Sequence, residues 1–161
     1  MRRLAVLLSL LLCGAAQAAD VVAVERAIVE GTNRFRHEER LGSVRPDSQL
    51  DRTAHEFAEY LARTDRFDHE ADGRTPAMRA RAHGYDYCLV AENIAYQFDS
   101  RGFTTSALAH ELVEGWKDSP GHRRNMLDAR AVDTGVAVVQ SRRSGRFYAV
   151  QMFGRRRAAC R

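Results

Sequence analysis

From Asp20 onward the apolar positions fall on two successive periods. Val21, Val24, Ile28 and Phe35 recur near helical spacing behind Asp20, whose short carboxylate suits an N-cap. The pattern predicts a helix running to about Glu39 and stopping before Leu41-Gly42. Ser48, with Asp51 three residues on, reads as a capping box with aspartate in place of glutamate. Leu50, Ala54, Phe57, Ala58 and Leu61 then make one apolar stripe. Thr75-Pro76 sets a cap before a proline at the first helical position and predicts a short helix ending at Gly84.

The stretch through Asn93 is less regular. Thr104 begins another helix, with Leu108, Leu112, Gly115 and Trp116 on its inner face and Ala109 and Val113 at the margin. Ser119-Pro120 repeats the cap-plus-proline signal for a short helix through about Leu127. The period then becomes two: Val136, Val138 and Gln140 alternate with Ala137 and Val139, Ser144-Gly145 turns the chain, and Phe147 to Phe153 is β-branched and aromatic. That is a hairpin pattern. Helices first and strands late, without βαβ alternation, predict an α+β layered domain. There is no repeat, low-complexity tract or Gly/Ser linker to divide it.

Composition adds the setting. Leu4 to Leu12 follows Arg2-Arg3 and precedes Ala16-Gln17-Ala18, the pattern of a secretory signal peptide over residues 1–18. Its apolar core is well short of the roughly 20 residues that span a bilayer, and no other segment comes near, so an integral membrane protein is not expected. Cleavage after Ala18 leaves one domain over residues 19–161, in the periplasm or outside the cell, and lowers the formal charge from +4 to +2. A nucleic-acid partner is therefore not expected. Leu10-Leu11-Leu12 lacks the small residues of a lipoprotein signal, so a lipid anchor at Cys13 is not expected either. Cys88 and Cys160 remain, and an even pair in an oxidising compartment is most simply one disulfide.

Familiar catalytic patterns are missing. There is no G-x-S-x-G elbow, Gly-rich phosphate loop or H-E-x-x-H, and a disulfide partner makes Cys88 a poor nucleophile. Three polar residues occupy unusual settings instead. His69 follows Phe67-Asp68 in a loop, Glu92 sits in the apolar run Leu89 to Ala95, and His122 follows Ser119-Pro120-Gly121. A carboxylate embedded in an apolar run must be paired or protonated. Taken singly, Glu92 is as readily a structural partner of an arginine or of backbone amides, and His122 a residue that fixes its turn. Taken together, two histidines and a carboxylate on separate connections predict one cleft. His37, His55, His83 and His110 lack such context and are expected to be solvated, as is the basic tail Arg155-Arg156-Arg157 with Arg161.

His69, Ala91-Glu92-Asn93-Ile94-Ala95 and the run Trp116 to Leu127 resemble the CAP superfamily, the cysteine-rich secretory, antigen 5 and pathogenesis-related 1 proteins (SCP domain), in its small bacterial branch. Asn33-x-x-Arg36, Gly135 to Val138 and Tyr148 to Gly154 match in the same order, so the resemblance covers about residues 21 to 154. It implies a three-layer α-β-α sandwich with a shallow cleft holding two histidines and two acids, in some members with a divalent ion, often zinc. By motif the histidines are His69 and His122 and one acid is Glu92. The second acid of animal members falls at Ser119, which cannot act alone as a base; Asp118 and Glu111 are the substitutes, with Glu114 turned away. The expectation is an exported, non-catalytic domain that binds a lipid, peptide or envelope fragment and holds zinc or another divalent cation weakly through His69 and His122. The alternative is a metal-assisted hydrolase or peptidase, with Glu92, His69 and His122 as its catalytic candidates. The oligomeric state is not legible in the sequence.

Overall fold

The computed structural model describes residues 19–160, and the expected signal peptide, with its cleavage point and Cys13, lies outside them. In chain order the elements are α1 (Val21–Glu38), β1 (Arg45–Pro46), α2 (Ser48–Thr64), α3 (Pro76–Ala82), β2 (Tyr87–Gln97), α4 (Thr105–Asp118), α5 (Pro120–Met126), β3 (Asp133–Gln140) and β4 (Phe147–Arg156). A 3₁₀ turn, Arg157–Ala159, follows β4. The strands form one sheet in the order β1-β3-β4-β2, parallel between β1 and β3 and antiparallel elsewhere.

Each face of the sheet carries its own helical layer. Phe147, Ala149 and Phe153 of β4 and Val136 and Val138 of β3 pack with Val24 and Ile28 of α1 and Leu108, Leu112 and Trp116 of α4. The alternate positions, Tyr148, Val150 and Met152 with Ala137, pack against Leu50, Ala54, Phe57 and Leu61 of α2 and Ala80 of α3. The molecule is therefore α+β, a three-layer α-β-α sandwich. Burial on both faces explains why β3 and β4 read as nearly continuous apolar runs. At about 1.5–3 kcal/mol per fully buried large apolar side chain, these layers outweigh any single cap.

Asp20, Thr75 and Thr104 cap α1, α3 and α4 as expected, each side chain accepting amides of the first turn. Four expectations need correction. The cap of α2 is Asp47, not Ser48: its carboxylate accepts Gln49 and Leu50 N–H at 2.9 and 3.2 Å, while its other oxygen pairs with Arg156. Asp51 closes no capping box, because it accepts Val136 N–H of β3 at 3.2 Å. The less regular stretch through Asn93 holds most of β2, an eleven-residue strand that runs on to Gln97. Gly115 is exposed, so the inner face of α4 is Leu108, Ala109, Leu112, Val113 and Trp116.

Two devices hold the layers in register. A Cβ at Gly135 would overlap the backbone of Leu50 and Asp51, so glycine sets how closely α2 approaches β3. The buried Arg36 of α1 donates to the carbonyls of Gly42, Met126, Asp128 and Ala131, while Asn33 exchanges two hydrogen bonds with Val44. The Asn33-x-x-Arg36 match thus pins two loops to α1. Cys88 and Cys160 are joined across 72 residues, fastening the tail to the start of β2.

Candidate functional site

β2 is the outermost strand on its side of the sheet, and its exposed backbone is answered by side chains. Trp116 Nε1–H donates to Ile94 O at 3.3 Å and Asn125 Nδ2 to Glu92 O at 3.1 Å. The buried Asn93 accepts from Asn125 at 2.9 Å and donates to His122 O at 3.2 Å. These bonds seat α5, and therefore His122, against the strand. Ser119 precedes Pro120 at the cap position of α5, yet its side chain makes no cap bond.

Glu92 points to the other face, toward α3. Its Oε1 accepts from His69 Nδ1 at 2.8 Å and its Oε2 from Arg79 Nη2 at 2.8 Å, with the Glu92 side chain only 1% exposed. Arg79 is equally buried: it donates to Asp72 Oδ1, Arg74 O and His69 O, and its guanidinium lies 3.5 Å from the Phe57 ring centroid. Both oxygens of the buried Glu92 carboxylate therefore have a partner. It also fixes the loop between α2 and α3, since Arg79 holds the His69 backbone while Glu92 holds the ring. With Nδ1 donating, the lone pair of a neutral His69 is on Nε2, and that side chain is 47% exposed.

The two rings are displaced in opposite directions. The hydrogen bond to Glu92 raises the pKa of His69 above its ordinary value, against the effect of burial. Burial lowers that of His122, and the charge of nearby His69 lowers it further. Near neutral pH His122 is thus the readier lone-pair donor. Asp118 and Glu111 are exposed and form no hydrogen bond with this trio, nor does Ser119, and Glu114 pairs with Lys117 at 2.9 Å. His83, expected to be solvated, is half-buried on Glu56 at 2.7 Å.

As a metal centre the donor set is small. His69 Nε2 and His122 are the two imidazoles the site offers, and Glu92 stands behind the His69 ring. Both oxygens of Glu92 are already engaged, which leaves it poorly placed as a ligand. Among the described residues no group of three or more His, Cys, Asp or Glu is placed to hold an ion. Phe67, two residues before His69, meets Tyr96 of β2 edge-on at 5.0 Å, and both rings are exposed.

The sequence did not reveal Arg79, Asp72 or Asn125. The string Met78-Arg79-Ala80-Arg81 does not say which arginine turns inward, and only the buried acid at Glu92 signals that some cation must meet it.

Residues 29–153 match the Cysteine-rich secretory protein family, CAP. Uncharacterized protein YkwD of Bacillus subtilis (strain 168) is 29% identical over 138 residues, 85% of this chain and 49% of its own, so the chain spans about half the length of that curated relative. An outer surface protein of Borrelia burgdorferi superposes with a TM-score of 0.75 at 19% identity, over 88% of this chain and 99% of its own. An extracellular SCP-domain protein of Bacillus anthracis str. Ames gives 0.70 at 24% identity, over 84% and 41%. NaASP2, solved with Zn2+, gives 0.61 at 17%, over 88% and 82%. The structural likenesses speak for the fold, and the family match takes in β1 to β3, most of β4, α2 to α5, and His69, Glu92 and His122. The chain belongs to the cysteine-rich secretory protein (CAP) family.

Proposed function

We propose that residues 19–161 form one exported CAP domain, periplasmic or secreted, that binds rather than transforms its ligand, and whose cleft takes up a divalent cation weakly through His69 and His122. The observation that carries this reading is the engagement of Glu92: with one oxygen on Arg79 and the other on His69, it is not free to activate water. The exposed aromatic pair Phe67 and Tyr96, on the loop that carries His69 and on the strand that carries Glu92, suits the apolar part of a lipid, peptide or envelope fragment. The Cys88–Cys160 bond and the likeness to an extracellular SCP-domain protein support an oxidising setting, and no described helix is long and apolar enough to cross a membrane.

Zinc supplies Lewis acidity wherever it binds; here His69 Nε2 and His122 would hold it, and Glu92 would orient the His69 ring. The likeness to NaASP2, solved with Zn2+, supports testing that metal. Hydrolysis in the same cleft is the second reading, favoured by the opposed displacement of the two histidines, which is how acid and base roles separate. Zinc calorimetry tests the first. Affinity should fall in two stages as pH drops, first where protons compete for His69, above the ordinary histidine value, and then where they compete for His122, below it. The His69→Ala/His122→Ala variant should lose it while melting cooperatively. Wild-type affinity in that variant would move the ion elsewhere.

A further inference from the structure

A second concavity lies at the opposite edge of the sheet from His69. β1 pairs with β3 only at Arg45↔Asp133 and Pro46↔Thr134, so beyond Thr134 that side of β3 has no strand partner. There α1 and α2 flank a groove of about 680 Å³ with apolar walls from Val22, Val29, Pro46 and Val136. That volume is in the range of small-molecule sites, roughly 300–1,000 Å³.

Two amide donors along this edge of β3 are already taken. Val138 N–H donates to Glu25 Oε1 at 2.9 Å and Val136 N–H to Asp51 Oδ1 at 3.2 Å, and both acids line the groove. Several other shielded acids meet basic side chains: Asp47 has Arg156, Asp72 and Glu92 share Arg79, and Glu56 has Arg74. Arg26, Arg52, His55 and His83 also line the groove, but none forms an ion pair with Glu25 or Asp51 among the described residues, and burial pushes both of those pKa values up against the weaker pull of His55 and Arg52. Two partly desolvated carboxylates beside apolar walls call for a donor-rich cation with a hydrocarbon part.

We propose that this groove binds a small aliphatic organic cation, an alkylammonium or alkylguanidinium, with its charged head against Glu25 and Asp51 and its chain along Val22, Val29 and Val136. A free small molecule fits better than an added protein strand. A strand would need the two N–H groups that the carboxylates occupy. The site is separate from the histidine cleft and does not depend on it.

Calorimetric titration with n-pentylamine, and with 1-pentanol as its uncharged counterpart, tests the proposal. Saturable binding is expected for the amine and none for the alcohol. Glu25→Gln with Asp51→Asn keeps a carbonyl acceptor for each strand N–H and should weaken the amine about tenfold, as expected for the loss of two partly exposed charge contacts. Val22→Arg, at a residue 58% exposed on the groove wall, places a competing cation there without disturbing the core and should also weaken it. The His69→Ala/His122→Ala variant should bind like wild type. No saturable heat with the amine, equal binding of the alcohol, or wild-type affinity in both groove variants overturns the assignment, and so does loss of binding in the histidine variant.

Discussion

Arg79 carries more of the cleft than either histidine. It neutralises Asp72 and Glu92 together, with both carboxylates nearly inaccessible to water. Removing one partner of a buried pair leaves an uncompensated charge, at a cost of about 3–5 kcal/mol. Arg79→Met should show that loss in chemical denaturation, and Arg79→Lys should recover little, because an ammonium cannot span both acids as the planar fork does. The histidines yield a pH prediction. His69 has a raised folded pKa, so its contribution to stability is complete below its unfolded value and is lost as pH rises through the folded one. His122 has a lowered folded pKa, so its contribution is complete above its unfolded value and is lost as pH falls through the folded one. Together they favour a maximum near the ordinary histidine value, about 6.5. Proton NMR of the metal-free protein should find the two rings titrating on opposite sides of that value, and Glu92→Gln should bring His69 down. Coincident titrations would refute the hydrogen-bonded pair.

Among the elements, legibility tracks how local the determinants are. α1, α3 and α4 announce themselves through caps and apolar spacing set within each segment, and the β3–β4 hairpin through its turn and change of period. β2 stays hidden because Glu92 and Asn93 interrupt its apolar run, and their partners Arg79 and Asn125 are distant in sequence. The choice of Asp47 over Ser48 is tertiary as well, since Arg156 of β4 holds that carboxylate in place. Asp47→Ala should therefore cost about 1 kcal/mol or more of stability, against a negligible change for Ser48→Ala. Equal losses would return the cap to Ser48. The grouping of His69, Glu92 and His122 came from local context and resemblance, and the His69–Glu92 hydrogen bond joins two of the three. The groove acids Glu25 and Asp51 were not, since only the fold shows that they meet the edge of β3.

For the whole molecule, the Cys88–Cys160 bond closes a loop spanning 72 residues, which in the chain-entropy account is worth roughly 4 kcal/mol. Reduction should lower the melting temperature clearly, and an unchanged melting curve would show the bridge to be dispensable. The side-chain cover on β2 has a further consequence, for colloidal behaviour. While Trp116 and Asn125 occupy the carbonyls of Ile94 and Glu92, another copy cannot zip onto that strand. Aggregation on warming should then follow the rate at which α4 and α5 lift away. Asn125→Ala, which uncovers one carbonyl at the surface, should precipitate sooner than its change in melting temperature alone accounts for.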